Sequence, residues 1–135
     1  MLAGSQLISE IDAIHKVANN ALRQKDLYAY IGVFADKLAY KQLNGKIIGK
    51  RQLIKDINFY FTRIKNYTSE YERKDFSAGD DIITERLIQK AIVSIRVFIF
   101  FSKSWTVERE GVYEWEKIDG TWKIVKVEII KEKTF

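Results

Sequence analysis

The stretch YEWEKIDGTWKIVKVEI (113–129) decides the fold, because it predicts two antiparallel strands joined by one tight turn. Asp119-Gly120 fits a type I′ turn, in which both central residues have positive φ. In the register set by this turn, Trp115 faces Ile124 across the hairpin. Trp122 lies on the same face, so the hairpin predicts an aromatic side that turns toward the protein interior.

Two charged residues continue this inward face of the last strand if the alternation is regular. They are Lys126, which then faces Tyr113, and Glu128. Burying an unpaired charge costs on the order of several kcal/mol, so both need water, a partner or a ligand. One interpretation places them at the open end of the strand, near solvent. The other makes them part of a cavity around which the sheet curves.

The segment 84–102 predicts a long strand that is apolar on both faces, which is typical of a central strand covered on both sides. A partner subunit is the expected cover on one side. Arg96 lies in the middle of this strand, where a guanidinium needs a carboxylate from Glu128, another acid or a ligand. The outer face predicts a homodimer interface, formed by Val93, Val97, Ile99, Val125, Val127 and Ile129.

The N-terminal half predicts helices, with apolar stripes over 5–24 and about 50–66 and a short helix capped by Asp26 between them. Asn44-Gly45 predicts a two-residue hairpin turn. After Tyr67 the pattern is β-rich to the end. The chain is therefore expected to form one α+β domain over 1–135, with three helices packed on a curved antiparallel sheet.

Composition excludes several classes of protein. The 135 residues fit one domain, cysteine is absent, and no secretory signal or bilayer-length apolar run is present, so a cytoplasmic protein is expected. The net charge is +5, but basic and acidic residues are interleaved rather than clustered. We therefore expect neither nucleic acid nor a membrane as a partner.

Two long segments carry a family resemblance, KDLYAYIGVFADKLAYKQLNGKIIGKRQLIKDI (25–57) and WEKIDGTWKIVKVE (115–128). Their order along the chain resembles the nuclear transport factor 2-like superfamily, which includes SnoaL-like cyclases, ketosteroid isomerase and scytalone dehydratase. The closing hairpin and SIRV (94–97) are similar to the association domain of calcium/calmodulin-dependent protein kinase II. This resemblance implies a cone-shaped, cystatin-like α+β roll with an internal pocket.

Departures from the family pattern bear on function. Where the resemblance implies the catalytic aspartate of ketosteroid isomerases, this chain has Gln42, and an amide cannot act as a general base. The kinase association domain has histidines where this chain has Lys126 and Glu128. Scytalone dehydratase needs several histidines, whereas His15 is the only one here. No cofactor motif and no metal-ligand spacing is present, so neither group is expected.

The predicted pocket lies between the sheet and the first helix, with His15 near its rim. Three functions remain open. The first is a noncatalytic domain that binds a small molecule, such as an acid. The second is a cyclase, isomerase or dehydratase that uses Tyr40, Tyr113 and Glu128. The third is a protein-interaction module with a vestigial pocket. The candidate pocket residues are His15, Tyr40, Arg96, Tyr113, Trp115, Trp122, Lys126 and Glu128.

Overall fold

The computed structural model describes residues 2–98 and 101–135, and the side chains of 4–95 and 102–135. The helices are α1 (Leu2–Gln24), α2 (Leu27–Ile31) and α3 (Lys50–Arg63). The predicted cap of α2 is confirmed, since the Asp26 carboxylate accepts a hydrogen bond from Ala29 N–H at 3.1 Å. The third helix ends at Arg63 rather than at 66, because β3 begins at the next residue.

One six-stranded sheet packs against the helices. Its strands are β1 (Phe34–Lys41), β2 (Ile47–Ile48), β3 (Ile64–Ala78), β4 (Ile82–Phe98), β5 (Phe101–Ile118) and β6 (Thr121–Thr134). Their order across the sheet is β2-β1-β6-β5-β4-β3. The prediction of an antiparallel sheet needs one correction, because β1 and β6 are parallel.

The hairpin between β1 and β2 has a longer loop than the two-residue turn predicted at Asn44-Gly45. The last ladder pair is Lys41 with Ile47, and Gln42 N–H still donates to Lys46 O at 2.9 Å, so residues 43–45 form the loop. Only Gly45 has a positive φ in this loop, at 86°, whereas a type I′ turn would need two such residues.

The closing hairpin is confirmed at its turn, where φ is 52° at Asp119 and 80° at Gly120. Trp115 pairs with Ile124 as predicted. A β-bulge at Val125 then shifts the register, so that Tyr113 faces Val127 and not Lys126. Since a bulge adds one residue to one strand, every later side chain of β6 changes face.

A second irregularity lies further along β6, where Glu110 pairs with Lys131 and Gly111 pairs with Ile129. The extra residue, Ile130, reverses the alternation again. Glu132 consequently lies opposite Arg109. Bulges also bend the strand that carries them, in keeping with the curvature of this sheet.

The core fills the space between the helices and the concave face of the sheet. Its fully buried apolar side chains are Ile11, Ile83, Leu87, Trp115 and Val127. Four residues of the predicted dimer interface also belong inside the protomer, because Val93, Val125, Val127 and Ile129 are buried there. That set of contacts was therefore wrong. Ile99 and the side chain of Val97 lie outside the described residues, and the homodimer itself stays a prediction.

Candidate functional site

Polar side chains form a row across four neighbouring strands on the concave face of the sheet. Tyr71 in β3 pairs with Gln89 in β4, which pairs with Arg109 in β5, which pairs with Glu132 in β6. Paired residues point to the same side of a sheet, so these four side chains lie side by side. A plain core would have aliphatic residues in such a row.

A cavity of about 260 Å³ lies between this row and the three helices, and we call it the tyrosine cavity. The helices contribute Leu22, Tyr30, Asp56, Ile57 and Tyr60, and the strands contribute Tyr67, Gln89, Ala91, Val93, Val107 and Arg109. Its volume is just below the range of roughly 300–1,000 Å³ that is common for ligand pockets. An apolar lining with a few converging polar groups is also typical of such pockets.

Arg109 is the cation of this cavity. Its Nε–H donates to Glu132 Oε2 at 2.8 Å, and 37 % of its side chain is exposed. Burial opposes its charge, but the neighbouring Glu132 carboxylate outweighs burial and raises the pKa of Arg109. Tyr40 also lies within hydrogen-bonding reach of this guanidinium, and the terminal N–H groups that remain are available to an anion.

The tyrosines around Arg109 are hydrogen-bond donors rather than bases. Burial raises the pKa of Tyr30 and of Tyr67 above the ordinary value. The pKa of Tyr113, which lies just behind the cavity wall, is raised well above it for the same reason. Tyr113 donates to Gln89 Oε1 at 3.1 Å and so orients the amide that lines the cavity.

A second polar cluster lies deeper in the protein, around Glu85 of β4. His15 Nε2 and Trp115 Nε1 both lie 2.7 Å from Glu85 Oε2. Arg73 Nε donates to the other carboxylate oxygen at 3.0 Å. Only 1 % of Glu85 and 6 % of His15 is exposed.

Arg73 links this cluster to the first helix. Its Nη2 donates to Asp12 Oδ1 at 2.8 Å, and Tyr71 donates to the same oxygen at 2.5 Å. Burial raises the carboxyl pKa values of Glu85 and Asp12, but hydrogen bonds lower both below their ordinary values. Those to Glu85 come from His15 and Arg73, and those to Asp12 come from Arg73 and Tyr71. The cluster, which we call the Glu85 network, therefore holds its carboxylates in the charged form.

The Glu85 network is closed and fully satisfied. Among the described residues, every buried side-chain nitrogen and oxygen has a hydrogen-bond partner. None of the network residues lines the tyrosine cavity. A buried ionic network of this kind ties α1 to the sheet, and we interpret it as structural first.

The predicted pocket residues separate into groups. Tyr113 reaches the tyrosine cavity through Gln89, and Tyr40 lines a neighbouring cleft beside Arg109. His15 and Trp115 join the Glu85 network, so His15 is buried rather than near a rim. Trp122 is 7 % exposed and donates to Glu10 Oε2 at 3.2 Å, away from the cavity.

Lys126 and Glu128 do not reach the cavity, so their inward placement was wrong. Lys126 is exposed, and Glu128 forms an ion pair with Lys41 at 3.3 Å in which both side chains are nearly half exposed. The bulge at Val125 is the physical reason, because it turns the neighbouring valine and isoleucine inward and these charges outward.

The predicted role of Arg96 concerns a side chain that lies outside the described residues. Its backbone belongs to β4 and pairs with Ser102. An arginine whose side chain lines a cavity is found instead on the next strand, at Arg109.

Sequence reasoning missed Arg109, although a signal was present. The sequence placed Trp115 and Tyr113 on the inward face, and strict alternation continues that face through Gly111 and Arg109 to Val107. An arginine between two inward hydrophobic residues is the pattern that would have found the site. The structure also describes no group of three or more histidine, aspartate or glutamate side chains that could hold a metal ion.

Three solved structures place this fold among known proteins. A candidate scytalone dehydratase from Novosphingobium aromaticivorans matches with a TM-score of 0.83 and 11 % identity, covering 100 % of this chain and 92 % of its own. A nuclear transport factor 2-like protein from Salmonella enterica matches with a TM-score of 0.75, 14 % identity and 93 % and 90 % coverage. A domain of unknown function with a cystatin-like fold from Nostoc punctiforme matches with a TM-score of 0.69 and 14 % identity, covering 96 % of this chain and 77 % of its own.

The chain therefore has the nuclear transport factor 2-like, cystatin-like α+β fold, and the resemblance stated from the sequence is confirmed at the level of fold. No protein-family model and no curated protein matches the sequence. Within the described residues, no helix is both long and apolar enough to cross a bilayer.

Proposed function

We propose that this protein binds a small, ring-bearing organic acid in the tyrosine cavity without transforming it. The observation that supports this most is Arg109, a guanidinium in a cavity otherwise lined mainly by aromatic and aliphatic groups. A guanidinium grips a carboxylate through two parallel hydrogen bonds, and desolvation by the apolar lining strengthens such a contact.

The remaining lining suits an aromatic ring of a ligand better than further charged groups. Tyr30, Tyr60 and Tyr67 offer ring faces and edges, while Ile57 and Val107 supply aliphatic contacts. Asp56 stands exposed at the mouth of the cavity, where it disfavours ligands with a second acidic group. We therefore expect monoacids of one or two rings to bind better than diacids.

A noncatalytic role is favoured by the protonation states. Catalysis by proton transfer needs a group whose pKa lies near the working pH. The cavity tyrosines have raised pKa values and stay protonated, and Gln42 supplies an amide where the family resemblance implied an aspartate. The cavity offers donors that hold a ligand, and its one carboxylate lies at the solvent edge.

The test is calorimetric titration with 3-phenylpropionate and with 3-phenylpropanamide, its uncharged counterpart. We expect the acid to bind and the amide to bind more weakly. Arg109→Met should weaken binding of the acid by about 10- to 100-fold, because a hydrogen bond to a charged group is worth roughly 1.5–3 kcal/mol. The tyrosine cavity would lose this role if Arg109→Met bound the acid as tightly as the wild type.

Arg86→Met is the matched control. Arg86 lies on the outer face of the sheet, where its Nε donates to Asp75 and its Nη1 to Glu110, and 35 % of its side chain is exposed. Its exposure is close to that of Arg109, so the two variants remove similar charges from opposite faces. The control should leave the affinity for the acid unchanged.

A second candidate function is proton transfer at the Glu85 network. The observation that favours it is the 2.7 Å contact between His15 and Glu85, since a carboxylate that orients a histidine is a common general-base arrangement. One fold neighbour is a candidate scytalone dehydratase. If a bound acid exchanged its C–H protons for deuterium in D₂O, and His15→Gln abolished that exchange, this function would replace the noncatalytic one.

A further inference from the structure

A second cleft, of about 520 Å³, lies on the other side of Arg109. We call it the hairpin cleft, because the β1–β2 hairpin supplies much of its wall. Its lining residues are Tyr40, Gln42, Leu43, Asn44, Arg109, Ile129 and Glu132. Arg109 lines both spaces, so an acid held by its guanidinium lies at the junction of the tyrosine cavity and the hairpin cleft.

The two spaces differ in chemistry. The tyrosine cavity combines ring faces with five aliphatic or alanine side chains, whereas the hairpin cleft is dominated by amides, a phenol and a carboxylate. Of the aliphatic residues in the cleft, Leu43 is 53 % exposed and Ile129 belongs to the core. An aromatic ring of a ligand therefore gains more binding free energy in the tyrosine cavity, whereas a polar group of a ligand loses less hydration in the hairpin cleft.

The amides of the hairpin cleft have unused hydrogen-bonding capacity. Asn44 Oδ1 accepts from Lys46 N–H at 2.9 Å, which leaves the Asn44 NH₂ group as a donor. Gln42 uses its backbone N–H toward Lys46 O at 2.9 Å, while its side chain hydrogen-bonds to no other described residue. A side-chain amide can both donate and accept, so it matches an amide or hydroxyl group of a ligand.

We infer that the ligand is an acid with two branches, a ring in the tyrosine cavity and an amide or hydroxyl group in the hairpin cleft, both joined close to the carboxylate on Arg109. This inference rests on the proposed function, since it takes the acid on Arg109 as given. Acylated or hydroxylated derivatives of aromatic acids have this shape. Glu132 accepts from Arg109 Nε and so anchors the guanidinium that lines both spaces.

The test compares two acids by calorimetric titration, 3-phenylpropionate and N-acetyl-L-phenylalanine. Both have the same ring and carboxylate, and the second adds an amide on the carbon next to the carboxylate. We expect the acetylated acid to bind wild-type protein about 3- to 10-fold more tightly, the worth of one neutral hydrogen bond. In a Gln42→Ala, Asn44→Ala double variant the ratio of the two dissociation constants should fall to about one, because both side-chain amides of the hairpin cleft are then removed. Gln6→Ala, an exposed glutamine of α1, should keep the wild-type ratio.

The possible failures are distinguishable. If 3-phenylpropionate binds and depends on Arg109, but the acetylated acid gains nothing, the two-branched ligand is wrong and the proposed function stands. The two-branched ligand is equally wrong if the gain persists in the Gln42→Ala, Asn44→Ala double variant. If neither acid binds, both the proposed function and this inference are overturned.

Discussion

The Glu85 network offers the sharpest test of how this fold is held together. Glu85→Gln keeps the size of the side chain and removes its charge. The carboxylate now accepts hydrogen bonds from His15, Trp115 and Arg73. A glutamine has one acceptor oxygen, so its NH₂ group must face at least one of these donors.

The expected loss follows from burial. Removing one partner of a buried ion pair typically costs about 3–5 kcal/mol, because the remaining charge stays in a medium that solvates it poorly. Arg73 keeps Asp12 as a partner, and 16 % of its side chain is exposed, so we expect the lower end, about 3 kcal/mol. Domains of this kind are stable by only about 5–15 kcal/mol, so the loss is a large fraction.

The assay is urea unfolding followed by tryptophan fluorescence, with the midpoint and slope determined for each variant. Glu116→Gln is the matched control, since Glu116 pairs with Lys37 at 2.7 Å at the surface, where the two side chains are 31 % and 60 % exposed. A pair of this kind is worth about 0–1 kcal/mol. The reasoning is refuted if Glu85→Gln lowers the free energy of unfolding no more than Glu116→Gln does.

Three further predictions concern the rest of the molecule. The free energy of unfolding of the wild type should fall as the pH drops below about 4, because the folded-state pKa values of Glu85 and Asp12 lie below their ordinary values. When the free energy of unfolding is measured against pH, Glu85→Gln should show a smaller decrease in acid than the wild type. Trp122→Ala should cost roughly 3–5 kcal/mol in urea unfolding, since the indole is 7 % exposed, and an unchanged midpoint would contradict its place in the core. We also expect a homodimer through the outer sheet face, now including the exposed Ile92 of β4. Light scattering at micromolar concentration should give a dimer mass that Ile92→Lys reduces, whereas a wild-type monomer would end this prediction.

The sequence by itself was sufficient for the features that depend on neighbouring residues. The Asp119-Gly120 turn, the Asp26 cap and the pairing of Trp115 with Ile124 follow from local backbone chemistry, and all three are confirmed. The alternation of side chains along β5 is also sufficient to place Arg109 on the inward face. The order of helices and strands was enough to reach the correct fold.

Only the tertiary structure decided which face the end of β6 presents. The bulges at Val125 and Ile130 occur at ordinary β-branched residues that give no local signal, and each reverses the side chains that follow. They turn Lys126 and Glu128 outward and place Glu132 against Arg109. The contact between His15 and Glu85 joins residues 70 positions apart, and such a pair exists only once the helix has docked on the sheet and removed both groups from water.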